Sequence, residues 1–188
     1  MLVLSNVSIV LPVYFISFII AQTFIPGFPK EILLIQAGSS FGIIGGGVIN
    51  WIGMVIGAQI AYEIIRFATE RSEKVIEQMK KFENHKYVVR IREGGNPALF
   101  VIRLIPYAPN DLLSMMSGFF KLPRIGYMLI SIVTALPYAF VFAYLGYLGA
   151  EFIQEPALLL QINIALTLSF TLFGLLYIGV KRYRDHEG

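Results

Sequence analysis

The sequence predicts an all-α integral membrane protein: an inverted repeat of two re-entrant helical hairpins, about four transmembrane helices and one amphipathic interfacial helix. Three observations predict it. The first is composition, because 188 residues that are 56% hydrophobic and only 14% charged, with a mean hydropathy of +0.70, are too apolar for a soluble domain of that size. The second is the placing of charge. No charged residue lies between Met1 and Pro29, Ile32 and Tyr62, Ile125 and Ala150 or Pro156 and Val180, and each run is long enough for a membrane span of roughly 20 residues. The third is an internal repeat: Ile25–Gly38, IPGFPKEILLIQAG, returns as Ile105–Gly118, IPYAPNDLLSMMSG, at an offset of eighty residues.

Across that offset Ile25/Ile105, Pro26/Pro106, Pro29/Pro109, Leu33/Leu113 and Gly38/Gly118 are identities, and Glu31/Asp111 keeps a carboxylate. Two Pro-broken apolar segments, each with one acid in matching positions of two halves, point to the substrate site of a membrane transporter.

Taken in order, Leu2 to about Phe24 reads as the first span, ended by Pro26 and Pro29 because proline lacks an amide donor and clashes with the preceding turn. Without a basic n-region or a small-x-small cleavage site, it reads as a retained helix rather than a signal peptide. Residues 25–47 form the first re-entrant hairpin, with a short helix from Glu31 to about Ala37 and a bend made by Gly38, Gly42 and Gly45–Gly47. Irregular backbone survives at membrane depth only where protein or a wet cavity satisfies it. Val48 to about Phe67 is the next span, with Trp51 and Tyr62 as interfacial anchors and Gly53/Gly57 in GxxxG spacing.

Residues 68–93 read as a cytoplasmic amphipathic segment lying on a membrane face. Glu63–Glu93 holds eight Lys/Arg and six Glu, with Val75, Met79 and Phe82 along one side and Glu70/Lys74 and Glu77/Lys81 as i,i+4 pairs. The mixed signs argue against a nucleic-acid surface. The second hairpin, 98–122, follows Gly94-Gly95-Asn96-Pro97, contains Arg103, Pro106, Pro109, Asn110, Asp111 and Gly118, and closes at Lys121, Pro123 and Arg124. Gly126 to Ala150, interrupted by Pro137, and Pro156 to Val180 are the remaining spans, so that residues 1–188 make a single membrane domain.

Positive-inside counting places both termini, the 63–93 segment, Lys121/Arg124 and Lys181/Arg182/Arg184 in the cytoplasm, and the Glu151–Glu155 connector, which has no Lys or Arg, outside. The two hairpins then open to opposite faces, as an inverted repeat requires. The cell membrane is the expected location.

Inside the apolar segments the ionisable residues are Lys30, Glu31, Arg103 and Asp111. A charge at bilayer depth costs between about 2.5 and more than 10 kcal/mol, so each asks for a reason. On one reading Glu31 and Asp111 face each other across a pseudo-two-fold axis as transport or proton-coupling acids, and Arg103 binds an anionic head group. On the other, the acids cap the half-helices behind the prolines. Lys30 and Asn110 are secondary candidates, while Pro26, Pro29, Gly38, Pro106, Pro109 and Gly118 shape the hairpins. There is no cysteine, and His85 and His186 lie in charged flanks, so the expectation is no metal centre, no cofactor and no enzyme.

Pro26, Pro29, Glu31, Ala37 and Gly38, then Arg103, Pro106 and Gly118, then Gly146-Tyr147-Leu148-Gly149 resemble the motifs of the DedA superfamily, also called SNARE-associated or VTT-domain membrane proteins. The resemblance covers about Phe24 to Gly149. It implies oppositely directed re-entrant hairpins and movement of lipids between leaflets: in bacterial members recycling of a polyprenyl-phosphate carrier or phospholipid linked to the proton gradient, in eukaryotic relatives scrambling. It makes Glu31 and Arg103 the functional acid and arginine. Pro109 stands where many bacterial members have a second arginine, and Asn110-Asp111 after it is similar to the VTT branch, which bears on phosphate-carrier specificity. The word SNARE in the family's title says nothing about binding one.

The functional expectation is a lipid translocase or scramblase that moves a phospholipid or polyprenyl-phosphate between leaflets. Its partners would be membrane lipids and protons, with homo-oligomer formation left open. The alternatives are a proton-coupled carrier of a small ion or osmolyte, and a non-transporting membrane scaffold.

Overall fold

The computed structural model describes residues 2–24, 30–105, 108–152 and 161. Six helices run through them, with no strand among the described residues: α1 Leu2–Gln22, α2 Lys30–Thr69, α3 Glu73–Lys80, α4 Lys86–Arg103, α5 Asn110–Phe119 and α6 Arg124–Phe152. Two, α2 and α6, are long and apolar enough to cross a membrane, and α1 carries the shorter apolar stretch Leu11–Gln22. Apart from residue 161, the span expected at 156–180 lies outside the described residues, as do Pro26, Pro29 and Pro106.

The forty residues of α2 are two limbs, because the backbone reverses at Gly42 with φ 72° and ψ −177°. Only a residue without a Cβ adopts that conformation cheaply. Limbs 30–41 and 43–69 then lie antiparallel: a Cβ on Gly46 would stand 2.6 Å from the Gly38 Cα, and the buried Asn50 donates its Nδ2–H to the Leu34 carbonyl at 2.9 Å. The expected broad bend over 38–47 is therefore a single-residue turn. Gly45–Gly47 are helical instead, and their smallness serves packing, since a Cβ on Gly47 would sit 2.7 Å from the Phe140 ring.

The basic segment is also differently built. It is not one helix but α3 and the first limb of α4, and the apolar side of α3 is covered by protein, with Met79 buried beside Val88 and Met116. A bend at Gly95 (φ 60°, ψ −142°) divides α4 and leaves Pro97 in the first turn of the second limb, where its missing amide breaks no helical hydrogen bond. Ile91 from one limb and Leu99 and Ile102 from the other enter one core with Tyr62, Leu113, Leu122 and Tyr127.

Helix α5 starts at Asn110, eighty residues after Lys30 starts α2, so the sequence offset recurs in the helix boundaries. Its end is a Schellman closure: Lys121 N–H donates to Gly118 O and Leu122 N–H to Ser117 O, both at 3.0 Å. Lys121 occupies the left-handed position (φ 53°) usually given to glycine, and its ammonium reaches Glu70 at 3.0 Å. That ammonium draws the Glu70 carboxyl below its ordinary range.

The two halves exchange partners. A Cβ on Gly38 would stand 2.5 Å from the Ala143 Cα, and one on Gly146 would meet the backbone of Ile35 and Ser39. Reciprocally, a Cβ on Gly118 would stand 3.1 Å from the Tyr62 carbonyl carbon and 3.2 Å from the Arg66 amide. Limb 30–41 thus packs parallel to α6, and α5 packs parallel to limb 43–69. Trp51 donates Nε1–H to Ile132 O of α6 at 2.9 Å, in the turn before Pro137. The helix runs on through Pro137, which does not interrupt it.

These contacts separate two glycines that sequence alone does not. Gly38→Ala forces a methyl into backbone and should cost about 1–3 kcal/mol as overpacking. By contrast Gly149→Ala, with nothing within 4 Å among the described residues, should gain about 0.5–1 kcal/mol of helix propensity. Thermal unfolding of the detergent-purified variants checks the pair: the first should melt below the wild type and the second at or above it.

Candidate functional site

Arg103 ends α4, where a cation meets the negative end of the helix dipole, and it is 8% exposed. Its guanidinium is held by neutral groups. Nη1–H donates to Ser131 Oγ at 3.0 Å, and Nη2–H to Ser114 Oγ at 2.7 Å and to the Tyr127 hydroxyl at 3.0 Å. The guanidinium carbon also lies 5.1 Å from the Tyr127 ring centroid. Among the described residues no carboxylate pairs with it, and its buried Nε–H has no acceptor. Hydroxyls solvate a buried cation without cancelling its charge.

The cradle is rigid in its own right. Ser114 and Ser131 each return a hydrogen bond to the carbonyl one turn earlier, Asn110 O at 2.8 Å and Tyr127 O at 2.9 Å. Tyr127 donates to Ala58 O at 3.0 Å and stacks on Tyr62, ring centroids 4.3 Å apart. Tyr62 in turn donates to Leu122 O at 2.5 Å and accepts from Arg66, whose Nη1–H also reaches Leu122 O at 2.9 Å. Both tyrosines are fully buried, so the arginine is positioned by an aromatic pair that bridges the two halves.

Arg103 lines a cavity of about 380 Å³ with Leu104, Ile105, Thr134, Pro137, Tyr138, Val141, Phe142 and Leu145. Leu104, Val141 and Leu145 are exposed, so its rim is an apolar outer surface, while Tyr138 and Phe142 form a tilted aromatic pair with centroids 4.6 Å apart. The Tyr138 hydroxyl donates to Glu31 Oε1 at 2.6 Å.

The two acids have different partners: Lys30 reaches Asp111, with Nζ 3.1 Å from Oδ1 and 3.0 Å from Oδ2, and Glu31 accepts from the Tyr138 hydroxyl. The reason lies in the helix starts: Lys30 and Asn110 open the two short helices, and both acids lie in first turns, where the dipole also favours them. Asn110 keeps a buried Oδ1 with no partner among the described residues. Pro109 is the residue before α5 and accepts the Leu113 amide at 2.9 Å. Gly38 and Gly118 are points of helix contact rather than bends.

The hydroxyl cradle and Tyr138 are what sequence reasoning missed. A signal existed: Tyr127, Ser131, Thr134 and Tyr138 recur at spacings of four, three and four, a polar stripe on an otherwise apolar helix.

No curated protein and no solved structure matches the chain. A family model described as the VTT domain matches residues 28–148, which takes in both short helices, the arginine cradle and most of α6. With that match over more than half its length, the chain belongs to the VTT-domain family, the DedA or SNARE-associated membrane proteins.

Proposed function

We propose that this protein moves phosphate-bearing lipids between the leaflets of a cell membrane. The observation that carries the reading is Arg103, a buried guanidinium with neutral partners on the wall of a cavity whose rim is apolar and exposed. A cation so placed is costly unless a ligand brings the opposite charge. A lipid phosphate does so while its tails stay on the apolar rim, and arginine suits it because the guanidinium keeps its charge.

In this reading the two short helices belong to re-entrant hairpins entering from opposite faces, with both termini cytoplasmic. The antiparallel course of limb 30–41 and α5, which start at the Lys30–Asp111 pair and run apart, supports an inverted repeat. Irregular backbone beside a cavity is then where the polar head group passes.

Two experiments test it. In proteoliposomes of defined composition, Arg103→Ala should abolish lipid movement, and Arg103→Lys, which keeps the charge but not the three-way hydroxyl cradle, should restore only part of the rate. Unchanged rates in the alanine variant reject the assignment. Solute uptake with no lipid movement would transfer the site to a small-solute carrier, and neither would leave a scaffold.

The second concerns Asp111. Its carboxylate is half-exposed and paired with Lys30, so it serves as a tie between the two short helices. Asp111→Asn or Lys30→Met should slow transport, and the charge exchange Lys30→Asp with Asp111→Lys should recover it. A proton carrier at Asp111 behaves otherwise: the exchanged protein would stay inactive, or would lose its response to a pH gradient.

A further inference from the structure

We infer that the Arg103 cavity selects a zwitterionic phospholipid head group, with the phosphate on Arg103 and the ammonium between Glu31 and the Tyr138–Phe142 rings. The inference rests on the lipid-moving reading above and adds the chemical class of the lipid. It begins with a count of charges. Of the four charged residues Lys30, Glu31, Arg103 and Asp111, Lys30 and Asp111 cancel each other at 3.0 Å, which leaves the cation Arg103 on the cavity wall and the anion Glu31, tied to that wall through the Tyr138 hydroxyl.

A head group with one charge of each sign meets both. A phosphoglycerol lipid, whose one charge is on the phosphate, would satisfy Arg103 but bring only a neutral glycerol to Glu31 and leave that carboxylate without a cation. A phosphomonoester would add a further negative charge, whose repulsion of Glu31 is only weakly screened where water is scarce.

The aromatic pair points the same way. Tyr138 and Phe142 both line the cavity with ring centroids 4.6 Å apart, and aromatic faces beside a carboxylate are the surroundings that hold alkylammonium groups. The volume fits a head group alone. About 380 Å³ corresponds to on the order of a dozen water-sized groups, too little for two acyl chains, which the exposed Leu104, Val141 and Leu145 can take along the rim.

The test uses the full chain in proteoliposomes carrying labelled phosphatidylcholine or labelled phosphatidylglycerol. The wild type should move phosphatidylcholine faster. Glu31→Gln should lower the ratio of the two rates about tenfold, the effect of one charge-assisted contact. Phe142→Leu keeps an apolar side chain and should lower the same ratio, which guards against a Glu31→Gln variant that fails to fold. Equal rates for the two lipids in the wild type, or a ratio unmoved in both variants, overturn the selectivity while leaving lipid movement standing. A wild type that moves neither lipid overturns the movement of phospholipids, and the selectivity with it.

Discussion

Backbone touches backbone where Gly38 meets Ala143 and where Gly146 meets Ile35, and the geometry of the site follows from that seam. Between membrane helices there is little hydrophobic drive, so close packing of small residues and a few polar contacts decide which helices associate. The seam sets limb 30–41 parallel to α6 in one register, and that register brings Glu31 beside Tyr138. Asn50 locks the same junction from a third side, donating to Leu34 O and to Ala139 O at 2.9 and 3.3 Å. The matching contact of Gly118 with the Tyr62–Arg66 turn places α5, and with it Ser114 under the guanidinium.

Given those placements, the electrostatics sort themselves by what each charge can reach. Lys30 and Asp111 neutralise each other, and the exposed pairs Lys121–Glu70 and Arg124–Glu63 lie where solvent screens them. Arg103, on the cavity wall, has a neutral shell. Had any of its three hydroxyl partners been a carboxylate, the cation would be neutralised within the protein. Serine and tyrosine orient the guanidinium without cancelling its charge, which makes the choice of uncharged partners as informative as the arginine itself.

How much of this could be read beforehand differs with the kind of signal. The repeat was legible because it rests on identities at a constant spacing, and the helix starts at Lys30 and Asn110 keep that spacing. The candidate residues Lys30, Glu31, Arg103 and Asp111 were legible because charge is rare in apolar segments, and three of the four do stand at the polar contacts that join the halves, with Arg103 in the cavity wall. Their pairing was not. Whether Lys30 or Glu31 meets Asp111 depends on helix rotation, a difference of roughly 100° per residue that no spacing within one segment reports. The glycine run misled for a related reason: Gly42 turns the chain while Gly45–Gly47 only admit neighbours, and the sequence writes both roles with one letter.

The two readings of the acids, site groups or helix caps, are compatible within one arrangement. Limb 30–41 and α5 begin near each other and run in opposite directions, so two positive dipole ends converge within a few residues of Arg103 and Lys30. Left alone, that convergence of positive charge would repel itself. Glu31 and Asp111, each in a first turn, offset it, and Asp111 also takes up the Lys30 ammonium. Removing an acid therefore disturbs the helix starts and the field of the cavity together, whereas the hydroxyls and rings of α6 can be altered with the dipoles unchanged. The polar stripe of α6 is for that reason the place where the surroundings of Arg103 can be changed apart from the helix starts.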